Sequence, residues 1–142
     1  MCQFEYLNFA CAELMAALHA KSFENPWKTE EFKNLLKLST TRGLICEKGM
    51  IVCSVCGEDA EILTLCVSPD FRRQGVAETM IQKMCEYIKN FQVVSLFLEV
   101  NVNNQAALKL YEKCGFQKAG VRKNYYKTTQ GRQDALVLKK RI

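Results

Sequence analysis

The segment from Arg72 to Ala77 has the residue types and spacing of a backbone cradle for a phosphate group. It follows an apolar run at 62–67 and the chain breaker Ser68-Pro69-Asp70, and a helical pattern begins within it. A helix N-terminus presents unpaired N–H groups and the positive end of the helix dipole, and Gly75 has no Cβ to hold an anion at a distance. The segment therefore predicts an anionic, phosphorylated ligand.

The spacing is not that of the commonest nucleotide-binding loops. Val76 and Ala77 stand where a nucleoside triphosphate loop has Lys and Ser/Thr, and the three glycines of a dinucleotide-binding turn are missing. The alternative interpretation is that Gly75 only eases a turn and that Arg72 and Arg73 are solvated.

Asn104, Leu108 and Tyr111 have the spacing of one stripe along a helix. An amide near the helix start and a phenol two turns later could contact one extended ligand. A tyrosine on such a stripe is more often a core residue whose hydroxyl is hydrogen-bonded, and the residues alone leave both interpretations open.

Glu99 lies near the C-terminal end of an otherwise apolar strand pattern at 93–101. A carboxylate at this place faces either solvent or a cleft. In a cleft it could act as a base, whereas on a surface it is a solvated or ion-paired glutamate.

Length and composition indicate one soluble globular domain covering residues 1–142, with 49% apolar and 25% charged residues. No apolar run approaches the roughly 18 residues needed to cross a bilayer, and the first residues lack the features of a secretory signal, so we expect a cytoplasmic protein. The net charge of +5 is dispersed, which does not predict nucleic-acid binding but suits a phosphorylated small ligand.

Most of the eight cysteines lie where a small apolar residue would serve, which predicts buried free thiols rather than disulfides. These are Cys11, Cys46, Cys53, Cys56, Cys66, Cys85 and Cys114. Cys53 and Cys56 form a C-x-x-C pair, but it lies inside a strand-like run, where the two side chains would point to opposite faces. With His19 as the single histidine, we predict no metal site.

The apolar periodicities predict an α/β fold with a mixed sheet. Strands are predicted at 2–9, 41–46, 50–57, 60–67, 93–101, 116–125 and 135–139, and helices at 11–23, 29–38, 75–90 and 103–113. Thr29 and either Asn103 or Asn104 are the predicted N-caps, and Gly115 is the predicted helix stop.

The segment 67–77 resembles the acetyl-CoA signature of the GNAT superfamily of N-acetyltransferases, Arg/Gln-x-x-Gly-x-Gly/Ala directly after a strand, and the order of elements is similar over nearly the whole chain. A narrower resemblance is to the RimI type, the ribosomal-protein-alanine N-acetyltransferases. It is carried by Pro26-Trp27, Leu98-Glu99-Val100, Asn104, Leu110-Tyr111-Glu112, Gly115-Phe116, Asn124-Tyr125-Tyr126 and Asp134-Ala135. The resemblance implies a single GNAT-like domain with a mostly antiparallel sheet of about six or seven strands and about four helices, splayed between the fourth and fifth strands.

The resemblance also implies the chemistry. Acetyl transfer to an amine needs a neutral amine, a polarised thioester and a protonated leaving thiolate, and an α-amine with a pKa near 8 needs only a modest base. Family members use a glutamate at the position of Glu99 as general base and a tyrosine at the position of Tyr111 as general acid. The asparagine that matches Asn104 contacts the cofactor.

For acetyl-CoA as co-substrate, the resemblance implies backbone contacts from the end of the fourth strand to the pantetheine arm and from the loop to the pyrophosphate. The strand residues are Leu65, Cys66 and Val67, and the loop residues are Arg72, Arg73, Gln74, Gly75, Val76, Ala77 and Glu78. The carboxylate of Glu78 is expected to point away from the pyrophosphate.

The acceptor is implied to be a protein N-terminus, in the RimI type the N-terminal alanine of a small-subunit ribosomal protein. Trp27, Tyr125 and Tyr126 are candidates for the walls that hold it, since aromatic side chains give contact area at low entropic cost; packing of two loops on the sheet is the alternative. RimI-type chains commonly have arginine two residues after the catalytic glutamate, where this chain has Asn101.

Two other functions remain open from the sequence: acetylation of a small amine or a lysine ε-amine, and acyl-CoA binding without catalysis. No nucleic acid, membrane or metal is predicted, and a monomer is the default. A basic ribosomal substrate would need a local acidic patch for steering, for which Glu24, Glu30 and Glu31 are candidates.

Overall fold

The computed structural model describes residues 3–142. The strands within this range are β1 (Glu5–Tyr6), β2 (Thr41–Cys46), β3 (Gly49–Cys56), β4 (Asp59–Val67), β5 (Ser95–Asn101), β6 (Gln117–Thr128) and β7 (Gly131–Arg141). The α-helices are α1 (Ala12–Ser22), α2 (Thr29–Leu36), α3 (Val76–Ile88) and α4 (Gln105–Lys113).

The described residues form one seven-stranded sheet in the order β1-β2-β3-β4-β5-β7-β6. Neighbouring strands are antiparallel except β4 and β5, which are joined by the crossover through α3 and pair in parallel. This parallel pairing covers only 59–61 on β4 and 95–97 on β5. Beyond Glu61 and Phe97 the two strands diverge, which confirms the predicted splay.

Both faces of the sheet are covered, and β3 shows this most clearly. Met50 and Val52 pack with the apolar residues of α1 and α2, whereas Ile51 and Cys53 pack with those of α3 and α4. Because successive side chains of a strand point to opposite faces, a strand buried on both faces reads as a continuous apolar run. This explains why 49–53 was predictable as a strand despite the lack of alternation.

Element boundaries differ from prediction at three places. β1 is only two residues long, and residue 2 of the predicted first strand lies outside the described range. Thr29 is the first helical residue of α2 and not its N-cap, a position taken by Lys28, whose N–H donates to Glu31 Oε1 at 3.4 Å. β6 and β7 extend to the tight turn at 128–131, where a polar loop was predicted.

The thiols match the prediction in part. Cys11, Cys53, Cys56, Cys66, Cys85 and Cys114 are free, and burial raises the pKa of Cys53, Cys66 and Cys85. Cys53 is buried and Cys56 exposed, as expected for opposite faces of β3. Two predictions were wrong: Cys56 is not buried, and Cys46 is disulfide-bonded. No helix in 3–142 is long and apolar enough to cross a membrane.

Candidate active site

The divergence of β4 and β5 opens a cleft of about 880 Å³. Its walls come from β4, β5, α4, the end of α1 with the segment that follows it, and Tyr126 of β6. Ten of the predicted site residues line it, namely Trp27, Leu65, Cys66, Val67, Arg72, Ala77, Glu99, Asn104, Tyr111 and Tyr126. Residues separated by up to about one hundred positions in sequence are thus brought to one cavity by the splay.

The predicted anion cradle lies at the N-terminus of α3. Gly75 is the N-cap with φ +77°, and its carbonyl accepts from Thr79 N–H at 3.0 Å. The N–H groups of the first helical residues have no partner within the helix, and a Cβ built on Gly75 would meet no atom within 4 Å. Open space in front of unpaired N–H groups is what a phosphate oxygen requires.

The side chains of the cradle are directed in different ways. Arg72 folds back so that Nε donates to Val67 O at 3.1 Å, whereas Arg73 is exposed in the left-handed region with φ 61°. Val76 is buried in the core and offers only its backbone to the loop. Glu78 pairs with Lys113 Nζ of α4 at 3.1 Å, so its carboxylate is partnered by a cation.

The predicted strand residues lie where β4 has left β5. Leu65 is opposite Ile51 and Cys66 opposite Met50, so one edge of this stretch is paired with β3. The other edge faces the cleft, because pairing with β5 ends at Glu61. A strand edge with free N–H and C=O groups can bind an extended amide-containing ligand.

Asn104 and Tyr111 line the same wall of the cleft. Asn104 is the N-cap of α4, with Oδ1 accepting from Ala107 N–H at 3.2 Å, so Nδ2 is the atom that can donate to a ligand. The residues between them that line the cleft are Ala107 and Leu110, not Leu108, which packs against the core. Asn104 and Tyr111 thus share one wall as the predicted stripe requires, and only its middle member, Leu108, was wrong.

The Tyr111 side chain is both a core residue and a cleft residue. It is 9% exposed and packs edge-on against Phe116, with ring centroids 5.5 Å apart. Burial, and then the neighbouring Tyr126, raise the pKa of the Tyr111 phenol to about 12. The phenol is thus protonated at neutral pH, the form that can donate.

Glu99 faces the cleft and not bulk solvent. Its side chain is 17% exposed, and Oε1 accepts from Arg122 Nη1 of β6 at 2.5 Å. The negative charge of Glu99 is also the largest cause of a raised pKa at Tyr125. Arg122 lies over the Tyr125 ring, with Cζ 4.4 Å from the ring centroid.

The aromatic wall depends on an irregularity of β6. Arg122 is opposite Ala135 and Tyr126 is opposite Gln133, so β6 advances four residues where β7 advances two. Asn124, at φ 55°, donates its N–H to Asp134 Oδ1 at 2.9 Å and accepts from Arg132 Nη1 at 3.1 Å. A bulge of this kind re-aims side chains, and here it directs Arg122 and Tyr125 to Glu99.

Of the three predicted aromatic residues, Trp27 and Tyr126 line the cleft and Tyr125 does not. Tyr125 is 45% exposed and meets Tyr126 edge-on, with centroids 5.1 Å apart. Burial and then Glu99 raise the pKa of Tyr126 to about 12. Asn101 lines the cleft as well, and its Nδ2 donates to Gln133 Oε1 at 2.6 Å.

Sequence reasoning missed Arg122 and Thr64 and gave His19 no role in the site. RimI-type chains commonly have an arginine at the position of Asn101. In this chain the guanidinium that contacts Glu99 comes instead from Arg122 on β6. His19 and Thr64 line the cleft and hydrogen-bond to each other at 3.1 Å. No local motif signals either contact, because the first depends on the register of β6 and the second on how α1 packs against β4.

Residues 3–142 contain no group of three or more His, Cys, Asp or Glu side chains arranged for a metal ion.

The splayed mixed sheet, with a glycine loop and a helix N-terminus at the opening, is the arrangement of an acetyltransferase. Residues 12–116 match the model of the acetyltransferase (GNAT) family. The chain belongs to the GNAT acetyltransferase family, as its sequence motifs predict. A curated relative, the [ribosomal protein bS18]-alanine N-acetyltransferase of Escherichia coli (strain K12), is 38% identical over 81 residues, covering 57% of this chain and 55% of that relative. The chain therefore aligns with little more than half the length of that relative.

Two further comparisons extend over most of the chain. The [ribosomal protein bS18]-alanine N-acetyltransferase of Haemophilus influenzae (strain Rd) is 31% identical over 121 residues, which is 80% of each chain. The crystal structure of the ribosomal-protein-S18-alanine N-acetyltransferase from Escherichia coli superimposes with a TM-score of 0.90 and 26% identity, covering all of this chain and 94% of that chain.

Proposed function

We propose that this protein transfers the acetyl group of acetyl-CoA to the N-terminal α-amine of a protein, with the N-terminal alanine of a small-subunit ribosomal protein as the leading acceptor. One observation supports the proposal: in the cleft that opens after Glu61 and Phe97, Arg72 and Ala77 of the cradle segment line the same cavity as Glu99 and Tyr111. The names of the similar proteins support the choice of acceptor.

The donor half of the cleft fits acetyl-CoA. The open space at Gly75 and the unpaired N–H groups of α3 suit the pyrophosphate, and the free edge of Leu65 to Val67 suits the amides of the pantetheine arm. Asn104 Nδ2 can donate to the same arm from α4. When bound, acetyl-CoA supplies the activated acetyl group as a thioester.

Glu99 and Tyr111 then divide the proton transfers. Glu99 accepts a proton from the acceptor ammonium, directly or through water, and frees the lone pair that forms the new C–N bond. The C–S bond breaks, and the protonated phenol of Tyr111 hydrogen-bonds to the developing thiolate and delivers its proton to sulfur. The nitrogen loses its second proton as the amide forms, and this proton restores the Tyr111 phenol through solvent. The sum is one amide, one thiol and the one proton that Glu99 passes to solvent.

The acceptor half must hold an extended peptide and an amine. Trp27 and Tyr126 both line the cleft, and Arg122, which pairs with Glu99, lies over the ring of Tyr125 beside them. Glu24 lines the cleft, and Glu30 and Glu31 are exposed on the adjoining α2, so the acidic side chains lie on the α1–α2 side. This charge suits a basic N-terminal segment.

An acceptor panel tests the proposal. We expect CoA release with a peptide that begins with alanine, and none with the same peptide carrying an N-terminal acetyl block and an internal lysine. Faster turnover of spermidine or another small amine would instead support the small-amine alternative. Tight acetyl-CoA binding with no CoA release against any amine would support the non-catalytic alternative.

The natural acceptor is identified by mass spectrometry of protein N-termini from cells with and without this protein. We expect a ribosomal protein N-terminus that begins with alanine to lose acetylation when the protein is absent. An unchanged set of N-termini would overturn the proposed acceptor.

A further inference from the structure

His19 of α1 joins the two sides of the cleft that the acceptor would enter. It is 4% exposed; Nδ1 lies 2.9 Å from the backbone N of Trp27, and Nε2 lies 3.1 Å from Thr64 Oγ1 of β4. The imidazole is also stacked on the Trp27 indole, with centroids 4.9 Å apart and planes at 22°. One ring therefore holds the segment after α1 to the strand that forms the cleft floor.

The two hydrogen bonds require one tautomer of the neutral ring. A backbone N–H can only donate, so Nδ1 must be the unprotonated nitrogen that accepts from Trp27. Nε2 then carries the hydrogen and donates to the Thr64 hydroxyl. A second proton on the ring would set an N–H at Nδ1 against the Trp27 N–H and break this bond.

The groups around His19 favour the neutral ring. Burial lowers its pKa from the ordinary value, and Glu31 of α2 opposes this by a smaller amount. β4 presents the Thr64 hydroxyl and lines the cleft with the Cys66 thiol, whose pKa burial raises, and the segment after α1 contributes Glu24 to the same cleft. Phe23 and Phe32 complete the enclosure, with ring centroids at 4.3 and 5.4 Å.

We propose that neutral His19 is a positioning residue that holds Trp27 in place for the acceptor, and that protonation of His19 releases Trp27 and weakens acceptor binding without affecting acetyl-CoA. The effect on the acceptor rests on the proposed function, whereas the hold on Trp27 does not. A fall in pH should thus weaken binding of the acceptor and leave binding of acetyl-CoA unchanged.

The composition of the chain allows a direct test without any variant, because it has one histidine and one tryptophan. Imidazole ¹⁵N NMR should show the Nε2–H tautomer at pH 7.5 and a titration midpoint below about 6.5. Trp27 fluorescence should change with the same midpoint. A midpoint at or above 6.5, the other tautomer, or fluorescence that is constant through the titration would overturn the proposal.

Two substitutions separate positioning from general damage. His19→Asn places an amide oxygen near the Nδ1 position and does not titrate, whereas His19→Leu has no acceptor. We expect His19→Leu to raise KM for the alanine peptide about five-fold, as for loss of one hydrogen bond, with KM for acetyl-CoA within two-fold. His19→Asn should keep the peptide KM near that of wild type at pH 7.5.

The pH profile gives the decisive comparison. As pH falls through the His19 midpoint, the peptide KM of wild type should rise more steeply than that of His19→Asn, in which the remaining rise reflects only the acceptor amine. Equal profiles, or equal effects of His19→Leu on both substrates, would overturn the proposal. If wild type acetylates no peptide, the proposed function fails, and the NMR and fluorescence titrations still decide whether His19 holds Trp27.

Discussion

Arg122 reaches Glu99 across an intervening strand. Its Nη1 lies 2.5 Å from Glu99 Oε1, although β7 separates β5 from β6 in the sheet. The bulge at Lys123 to Tyr125 makes this reach possible. A guanidinium therefore occupies the carboxylate oxygen that the proposed mechanism assigns to the acceptor ammonium.

Arg122→Gln should lower KM for the alanine peptide. The Arg122 side chain is 53% exposed, and exposed ion pairs are weak, so its removal should lower KM by at most about five-fold. Steady-state kinetics check this, with Lys118→Gln on the same strand as the control. A raised KM would show instead that Arg122 contacts the acceptor.

Glu99→Gln should lower kcat/KM for the peptide by about 100-fold, since it removes the proposed base but keeps the side chain's shape. Binding of acetyl-CoA should be unchanged, because Glu99 is not among the residues proposed to contact acetyl-CoA. The matched control is Glu13→Gln on the exposed face of α1. A value within three-fold of wild type would remove Glu99 from the mechanism.

Tyr111→Phe should lower kcat by about ten-fold or more, because it removes only the proposed proton donor. The ring keeps its edge-on contact with Phe116, so the melting temperature should change little. Tyr87→Phe on α3 controls for loss of a tyrosine hydroxyl elsewhere. An unchanged kcat would show that Tyr111 is not the proton donor and serves only as a core residue.

Gly75→Ala should weaken acetyl-CoA binding about ten-fold or more, because a Cβ at the N-cap of α3 would take up part of the open space that the proposal assigns to the pyrophosphate. It should also cost about 1–2 kcal/mol of stability at φ +77°. Gly57→Ala is a close control, with φ +61° and open space around its Cβ but in the β3–β4 turn. Calorimetry should find weakened binding only for Gly75→Ala, and equal affinities would contradict the assigned cradle.

His19 should also make stability depend on pH. The unfolded chain binds a proton at His19 near the ordinary pKa of about 6.5, whereas burial lowers that pKa in the folded chain. The unfolded state thus binds more protons in this range, and the free energy of unfolding should fall as pH drops below about 6.5. Denaturant titrations at pH 7.5 and 5.5 should show a larger loss for wild type than for His19→Asn.

Local patterns sufficed for much of this molecule. The apolar runs of β3 and β4, the N-cap at Asn104 and the loop before α3 depend on neighbouring residues, and each was predictable. The extent of β6 and β7 was not, because an exposed stretch of edge strand such as 126–128 has no apolar alternation to signal it. The cap of α2 was missed because Glu31 reaches back to Lys28.

Which residues of the cleft contact each other was harder to predict than which residues line it. Glu99 and Tyr111 were identified by motif, but the partner of Glu99 depends on the register shift in β6. His19 has the position of an ordinary helix residue in the sequence, and only the fold brings its two nitrogens to Trp27 and Thr64.

The short parallel pairing of β4 and β5 also has a mechanical consequence. Three residue pairs join these strands, against eight between β3 and β4 and seven between β5 and β7. Tension applied across the sheet from β2 toward β6 would load this joint, which has the fewest paired residues of any joint between those two strands. The molecule would part there first, with the cradle strand on one fragment and Glu99 on the other.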